Sequence, residues 1–248
     1  MFSLEGRTAL VTGARTGIGQ AIAVGLARAG ADVVLHGHRD DLDETEAAVK
    51  AAGRQAERWV LDLTEPERVP DAAAELLDRR QVDILVNNAG IIRRGPALEQ
   101  EYQDWRDVLA VNLDSVYLLT RAVGAGMVAR GYGKVIMIAS MLSFQGGINV
   151  IGYTASKHAV AGLVRGLANE WAPHGVQVNA IAPGYIATNN TAVLRADQDR
   201  EPAIRARIPA GRWGTPEDLA GAAVFLAAPA SDYVTGHVLA VDGGWLAR

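Results

Sequence analysis

Two periodicities alternate along the chain. Short, mostly apolar runs with β-branched residues occupy 8–12, 32–36, 83–86, 135–138, 176–182 and 237–241 and read as strands, and 56–60 reads as another between them. Between them, 20–29, 42–52, 67–80, 102–130 and 155–171 carry the spacing of helices, and Thr215-Pro216 opens another with a capping residue and a first-turn proline. Strand and helix follow one another throughout, without a linker-like stretch or an internal repeat. That order predicts an α/β fold, one doubly wound parallel sheet forming a single domain over 1–248. The polar stretch at about 185–214 interrupts the alternation and is long for a connection. Such insertions serve as lids or binding loops, so it is assigned as a substrate lid.

Composition narrows the class. Hydrophobic residues make up 49% of the chain, enough for a substantial core. The absence of cysteine excludes disulfides, iron–sulfur clusters and thiol nucleophiles. A net charge of −4 without a basic run argues against a nucleic-acid partner. The amino terminus does not read as a signal peptide, and no apolar run approaches the ~20 residues of a membrane span. A cytoplasmic protein without nucleic-acid or membrane partners is the expectation.

The chemistry-bearing residues fall at strand ends. The first strand runs into GARTGIG (13–19), a glycine turn that opens a helix. Such a turn brings backbone close to a pyrophosphate and meets its charge with the N–H groups of the helix start. The spacing of Gly13, Gly17 and Gly19 differs from the G-x-G-x-x-G form. After the second strand comes His36-Gly37-His38-Arg39-Asp40, with no carboxylate at the immediate strand end. Arg15 or Arg39 is placed to face a 2′-phosphate, which leaves both NAD and NADP open. His36 and His38 have no evident third ligand and read as loop histidines, so no metal site is expected. Asp62-Leu63 closes the third strand, where Asp62 is placed either to accept from an adenine amino group or to begin a turn. NNAG (87–90) follows the fourth strand, its small residues allowing close approach and Asn88 suited to fixing strand ends. Asn112, polar between apolar neighbours inside a helix, reads either as a satisfied core amide or as a functional group.

Ser140 follows the fifth strand, and Tyr153 and Lys157 come after it with helical i, i+4 spacing. With six tyrosines and three lysines, composition alone yields such a pair in only about 7% of chains of this length. A phenol beside an ammonium is expected to have a lowered pKa and to act as an acid/base, with Ser140 holding the oxygen whose proton is exchanged. This is the arrangement of a carbonyl/alcohol redox site.

Taken in order, GARTGIG, Asp62-Leu63, NNAG, Asn112, Ser140, YTASK (153–157) and Pro183-Gly184 resemble the short-chain dehydrogenase/reductase family over the whole chain. The resemblance implies a Rossmann-like, seven-stranded sheet with helices on both faces and NAD(P) across its carboxyl edge. It implies Tyr153 as acid/base, Lys157 on the nicotinamide ribose, Ser140 orienting the carbonyl and Asn112 holding a relay water. The cofactor-binding set it implies is Gly13, Arg15, Thr16, Gly17, Ile18 and Gly19, then Asp62, Leu63, Asn88, Ala89 and Gly90, with Tyr153, Lys157, Pro183, Gly184 and Ile186. It also implies a homotetramer. The apolar stretches 108–111 and 159–163 fit that assembly, since helices apolar beyond one stripe need a second burial partner.

Finer likenesses at GIIRR (90–94), SMLSFQGG (140–147), GYIATNNT (184–191), IPAGRWG (208–214) and VDGGWLAR (241–248) are to family members that act on keto-deoxy sugar acids, usually with NAD. A sugar-acid carboxylate calls for an arginine fork, for which Arg93, Arg94 and Arg212 are candidates, with Asn189 and Asn190 as hydroxyl partners and Gln145 as a further substrate contact. The alternatives are a 3-oxoacyl or neutral-sugar ketone reductase and, in another class, a non-catalytic NAD(P)-sensing module.

Overall fold

The computed structural model describes residues 1–248 and holds one seven-stranded sheet, all of it parallel, in the order β3-β2-β1-β4-β5-β6-β7. The strands are β1 (Thr8–Val11), β2 (Asp32–Gly37), β3 (Ala56–Val60), β4 (Ile84–Asn87), β5 (Gly133–Ile138), β6 (Val176–Pro183) and β7 (Val238–Val241). The apolar runs are continuous in the central strands β1 and β4, where both faces are covered, while the edge strand β3 carries Glu57 and Arg58. Helices α1 (Gly17–Arg28), α2 (Asp43–Ala51) and α9 (Ala220–Ala227) cover one face, packing on Val11, Leu35, Val86 and Ile136. On the other face, α3 (Val69–Leu77), α5 (Ser115–Arg130) and α6 (Ile151–Trp171) pack on Leu10, Leu85, Val135 and Val178. β1 and β4 are neighbours, so the strand order reverses between them. Ligands in open α/β sheets bind in the crevice at the carboxyl ends beside such a reversal. The glycine turn after β1 and NNAG after β4 flank it.

Several elements depart from the sequence-based expectation. The third helix begins as a 3-10 turn, Pro66–Arg68, whose Pro66 carbonyl takes the Val69 N–H because Pro70 has none to give it, and ends at Leu77. The helix expected to carry Tyr153 and Lys157 and to continue over 155–171 is α6, and it starts at Ile151. The stretch expected from 102 to 130 is α4 (Tyr102–Leu109), a π-turn at Ala110–Asp114 and α5. By length and mean hydropathy (1.3) this segment meets the membrane-span criterion that no run was expected to approach. Here it lies along the sheet, with Val116, Leu119, Val123 and Met127 buried in the core.

The polar stretch 185–214 is not an open loop. It contains the 3-10 turn Asn189–Thr191 and helices α7 (Ala192–Ala196) and α8 (Arg200–Arg207). A bridge between Ile186 and Gly214 joins its two ends. Its underside is a small satellite core in which Leu194, Ile204 and Ile208 meet Met141 and Trp245. Tyr185 stands between Trp213 and Trp245 with ring centroids 5.2 and 4.8 Å away, edge-on to both, as aromatic pairs prefer.

Candidate active site

A cavity of about 550 Å3 opens at the carboxyl edge of the sheet. Its floor on one side is the glycine turn: Gly13, Thr16, Gly17, Ile18 and Gly19 all line it. Gly13 and Gly17 have φ of +64° and +61°, the left-handed region where a Cβ is strained. A Cβ on Gly19 would lie 2.2 Å from the Gly13 carbonyl oxygen and 2.4 Å from Asn88 Nδ2. The turn therefore brings bare backbone into the cleft. Thr16, the N-cap of α1, makes no side-chain capping bond, so the first N–H groups of the helix stay open to an anion. This cradle fits the pyrophosphate of a dinucleotide.

Asn88, Ala89 and Gly90 form the next wall. Asn88 Nδ2 donates to the Thr12 and Gly13 carbonyls at 2.9 and 3.1 Å, and Thr12 Oγ1 accepts from the Asn88 and Ala89 N–H groups at 2.9 and 3.0 Å. The expected strand-fixing role of Asn88 is what the geometry shows. Behind this wall Asn112 is fully buried. Its Oδ1 accepts from Ile91 N–H at 2.9 Å, while Nδ2 donates to the Ile91 carbonyl (3.0 Å) and to Ser156 Oγ (3.2 Å). Ser156 donates in turn to the Tyr153 carbonyl at 2.8 Å. The carboxamide thus links the segment after β4 to the helix carrying Tyr153. Ser156 was not singled out from the sequence.

Ser140, Tyr153 and Lys157 meet in the cleft. Ser140 caps the 3-10 turn Met141–Ser143, its Oγ accepting from Leu142 N–H at 3.1 Å. Lys157 is buried and its Nζ donates to the Ile138 carbonyl at 2.6 Å, 5.5 Å from the Tyr153 ring centroid. The titration differs from the expectation that the ammonium lowers the phenol. Burial raises the Tyr153 phenol, with a hydrogen bond from Ser140 and the charge of Arg94 pulling it back. Burial also brings Lys157 down to about 8. Loss of solvation outweighs the mutual influence expected of this pair.

The remaining expected residues divide. Pro183, Gly184, Ile186, Asn189 and Asn190 line the cleft, together with Ala187, Thr188 and Thr191 from the lid base, which the sequence reading had not assigned. Arg15, Asp62 and Leu63 are not among the cleft walls. Arg15 faces Asp41 at 3.6 Å. Asp62 Oδ1 accepts from Thr64 N–H and its hydroxyl at 2.9 and 2.8 Å, a turn-opening role, and the Thr64 N–H holds its carboxyl below the usual range. Leu63 is in the core. Gln145 is half-buried in the loop beyond Ser140, also outside the walls.

The three arginines do not gather at one place. Arg93 turns to Asp104 and Asp107 on α4, at 3.3 and 3.5 Å. Arg212 forms a bidentate pair with Asp218 (2.7 and 2.9 Å) and lines a separate cavity of about 180 Å3. Arg94, which is not among the cleft walls either, donates across to the Asn190 carbonyl of the lid at 3.2 Å and has no carboxylate partner.

At the end of β2, a Cβ on Gly37 would lie 2.8 Å from the Arg39 carbonyl, so no acidic side chain fits there. Asp40 is paired with Arg58 at 2.9 Å, and Arg39 forms no ion pair. His36 is not a loop histidine: it is buried in β2. Gly13 N–H donates to its Nδ1 at 3.1 Å, and its Nε2 lies 2.9 Å from the Leu61 carbonyl.

A family profile described as Enoyl-(Acyl carrier protein) reductase matches residues 13–246. The 2-dehydro-3-deoxy-D-gluconate 5-dehydrogenase of Bacillus subtilis is 59% identical over 247 residues, covering 100% of this chain and 97% of that protein. A Beutenbergia cavernae protein solved with NADP bound at low occupancy is 59% identical, covering 100% and 99% of the two chains with a TM-score of 0.98. A gluconate 5-dehydrogenase from Burkholderia cenocepacia, solved with NADP and tartrate, is 41% identical over 100% of this chain and 98% of that one, with a TM-score of 0.95. With its seven-stranded parallel sheet, its glycine cradle and the meeting of Ser140, Tyr153 and Lys157, the chain belongs to the short-chain dehydrogenase/reductase family of NAD(P)-dependent oxidoreductases.

Proposed function

We propose that the protein interconverts a keto-deoxy sugar acid of the 2-dehydro-3-deoxy-D-gluconate type and its hydroxy form. The observation that carries this reading is Arg94, a guanidinium with no carboxylate partner whose charge acts on the Tyr153 phenol. A sugar acid brings the carboxylate that such a fork matches. The similarity to the Bacillus subtilis enzyme, and the tartrate held by the Burkholderia cenocepacia relative, support an acidic substrate.

A nicotinamide dinucleotide held on the glycine cradle would supply or accept the hydride at the carbonyl carbon. In the reduction, Tyr153 donates its phenolic proton to the carbonyl oxygen while Ser140 holds that oxygen. The raised phenol favours the protonated form that this direction requires. Lys157, anchored on the Ile138 carbonyl, balances the phenolate that remains and holds the nicotinamide ribose. Asn112 supports the wall at Ile91 and takes part in proton relay. Residues 185–214 serve as the substrate lid, with Asn190 at its cleft side.

Of the apolar stretches expected to drive assembly, Val108, Val111, Val160 and Ala161 are buried within the chain's own fold. What supports a homotetramer instead is Tyr102, Tyr117 and Ile151, exposed on α4, α5 and α6, and the open face at Gly162 and Gly166, where a second helix can approach closely. The NAD(P) requirement supports a cytoplasmic location.

The test is Arg94→Gln, assayed with a keto-deoxy sugar acid and with a neutral ketose. Loss of a charge-assisted pair costs about 1.5–3 kcal/mol, which is roughly 10- to 150-fold in kcat/KM for the acid. The neutral ketose should be turned over as before. Equal loss for both substrates would move the neutral-sugar or 3-oxoacyl reading ahead.

A further inference from the structure

We infer that His36 is a positioning residue for the adenosine half of the dinucleotide, acting through the backbone of Gly13. Both ring nitrogens are committed to main-chain atoms of other strands' ends. Gly13, just past β1, donates its N–H to Nδ1 at 3.1 Å, which leaves Nδ1 unprotonated. Nε2, 2.9 Å from the Leu61 carbonyl just past β3, therefore carries the proton and donates it. The backbone carbonyl of His36 accepts the Ala14 N–H at 2.9 Å. One side chain on β2 thus joins three neighbouring strand ends at the edge where the sheet meets its cofactor. Trp59 packs on the ring at 5.2 Å, and only 2% of the residue is exposed.

Gly13 is held from two sides. His36 fixes its N–H, and Asn88 Nδ2 fixes its carbonyl at 3.1 Å. Its left-handed backbone sets the path into Thr16 and Gly17, where the pyrophosphate is met. The region beyond the end of β2 is where a doubly wound fold holds the adenosine ribose. His36 is below both of these and has no contact with Ser140, Tyr153 or Lys157. Its influence should fall on how tightly the adenosine end is bound, not on the chemical step.

The experiment compares His36→Leu, His36→Asn and His36→Gln with the parent. Binding of NADPH, ADP-ribose and nicotinamide mononucleotide is titrated by fluorescence or by competition. Folding is followed by circular dichroism. His36→Leu removes the acceptor for Gly13 and should weaken ADP-ribose and NADPH by about tenfold or more, one lost buried hydrogen bond being worth about that factor. Asn places an oxygen where Nδ1 stands and should recover most of that loss. Binding of nicotinamide mononucleotide, KM for the ketone and kcat at saturating cofactor should stay within about twofold of the parent. If His36→Leu does not fold, Asn should bind ADP-ribose more tightly than Gln, whose amide matches the Nε2 side. ADP-ribose affinity unchanged in the Leu variant overturns the inference. So does an equal loss for both cofactor halves together with kcat, an Asn variant no better than Leu, or Gln binding as tightly as Asn.

Discussion

Replacing Asn112 by alanine removes three hydrogen bonds at once, to the Ile91 N–H (2.9 Å), the Ile91 carbonyl (3.0 Å) and Ser156 Oγ (3.2 Å). Ser156 keeps its bond to the Tyr153 carbonyl, so the main orphans are the two backbone groups of Ile91. Each bond is worth about 1 kcal/mol net, and an unsatisfied buried group costs about 1–3 kcal/mol. Ile91 is only half-buried, so water relieves part of this, and a loss of about 2–3 kcal/mol is expected. For a chain of this size that corresponds to a fall in melting temperature of about 5–10 °C. Activity should suffer as well, because Ile91 follows Gly90 on the cofactor wall, and kcat should drop in protein that is still folded. Asn112→Asp keeps the acceptor for Ile91 N–H but turns an oxygen toward the Ile91 carbonyl. It should be no more stable than the alanine variant. Thermal melting and steady-state kinetics on the two variants check this. An alanine variant melting within about 1 °C of the parent with undiminished kcat would refute the reasoning.

Three further outcomes are expected. Tyr153→Phe keeps the ring and removes the transferable proton, so turnover should fall by about 10²–10⁴-fold while NADPH binding, read by fluorescence, survives. His36 is lowered by burial from 6.5 to about 4, with the His38 charge adding to this and Asp62 opposing it, so the unfolded chain binds its proton more readily. Its contribution is complete above pH 6.5 and fades as pH falls toward 4, and the parent should lose roughly 2.5 kcal/mol more than His36→Asn between pH 7.5 and 4.5 in denaturant titrations. Arg39→Ala should weaken NADP more than NAD in kcat/KM, since Arg39 forms no ion pair at an edge that offers no carboxylate; equal effects on both would remove Arg39 from phosphate recognition.

Much of the site was legible because it obeys short-range rules. Tyr153 and Lys157 are one helical turn apart, and glycine turns announce themselves at strand ends. The same holds for the sheet, whose central strands β1 and β4 are short buried apolar runs. What escaped depends on partners distant in sequence. His36 sits before a glycine and a second histidine, which reads as a loop. Its ring is in fact satisfied by Gly13 and Leu61, 23 and 25 residues away. Arg93, Arg94 and Arg212 are equivalent by type; only the fold shows that acidic residues on α4 and before α9 engage the first and last. The phenol's titration was read in the wrong direction because spacing reveals a neighbouring cation but not how dry the pair becomes. The π-turn at Ala110–Asp114 hides for a related reason, since its periodicity is indistinguishable from that of a long helix.

The bridge between Ile186 and Gly214 has a consequence for how this scaffold can diversify. Ala187 N–H donates to the Gly214 carbonyl at 2.8 Å, and Gly214 N–H to the Tyr185 carbonyl at 2.9 Å, so the excursion leaves and rejoins the body at a pinned neck. A closed loop of this kind transmits little of what happens at its tip. Doubling its length costs only about 0.6 kcal/mol in closure entropy. The solvent side of helices α7 and α8 can therefore be extended while Leu194, Ile204 and Ile208 keep their seats on Met141 and Trp245 and β6 beneath keeps its position. Selection can vary the outer part of the excursion while Ala187 to Thr191, which share the cleft with the glycine turn, stay in place.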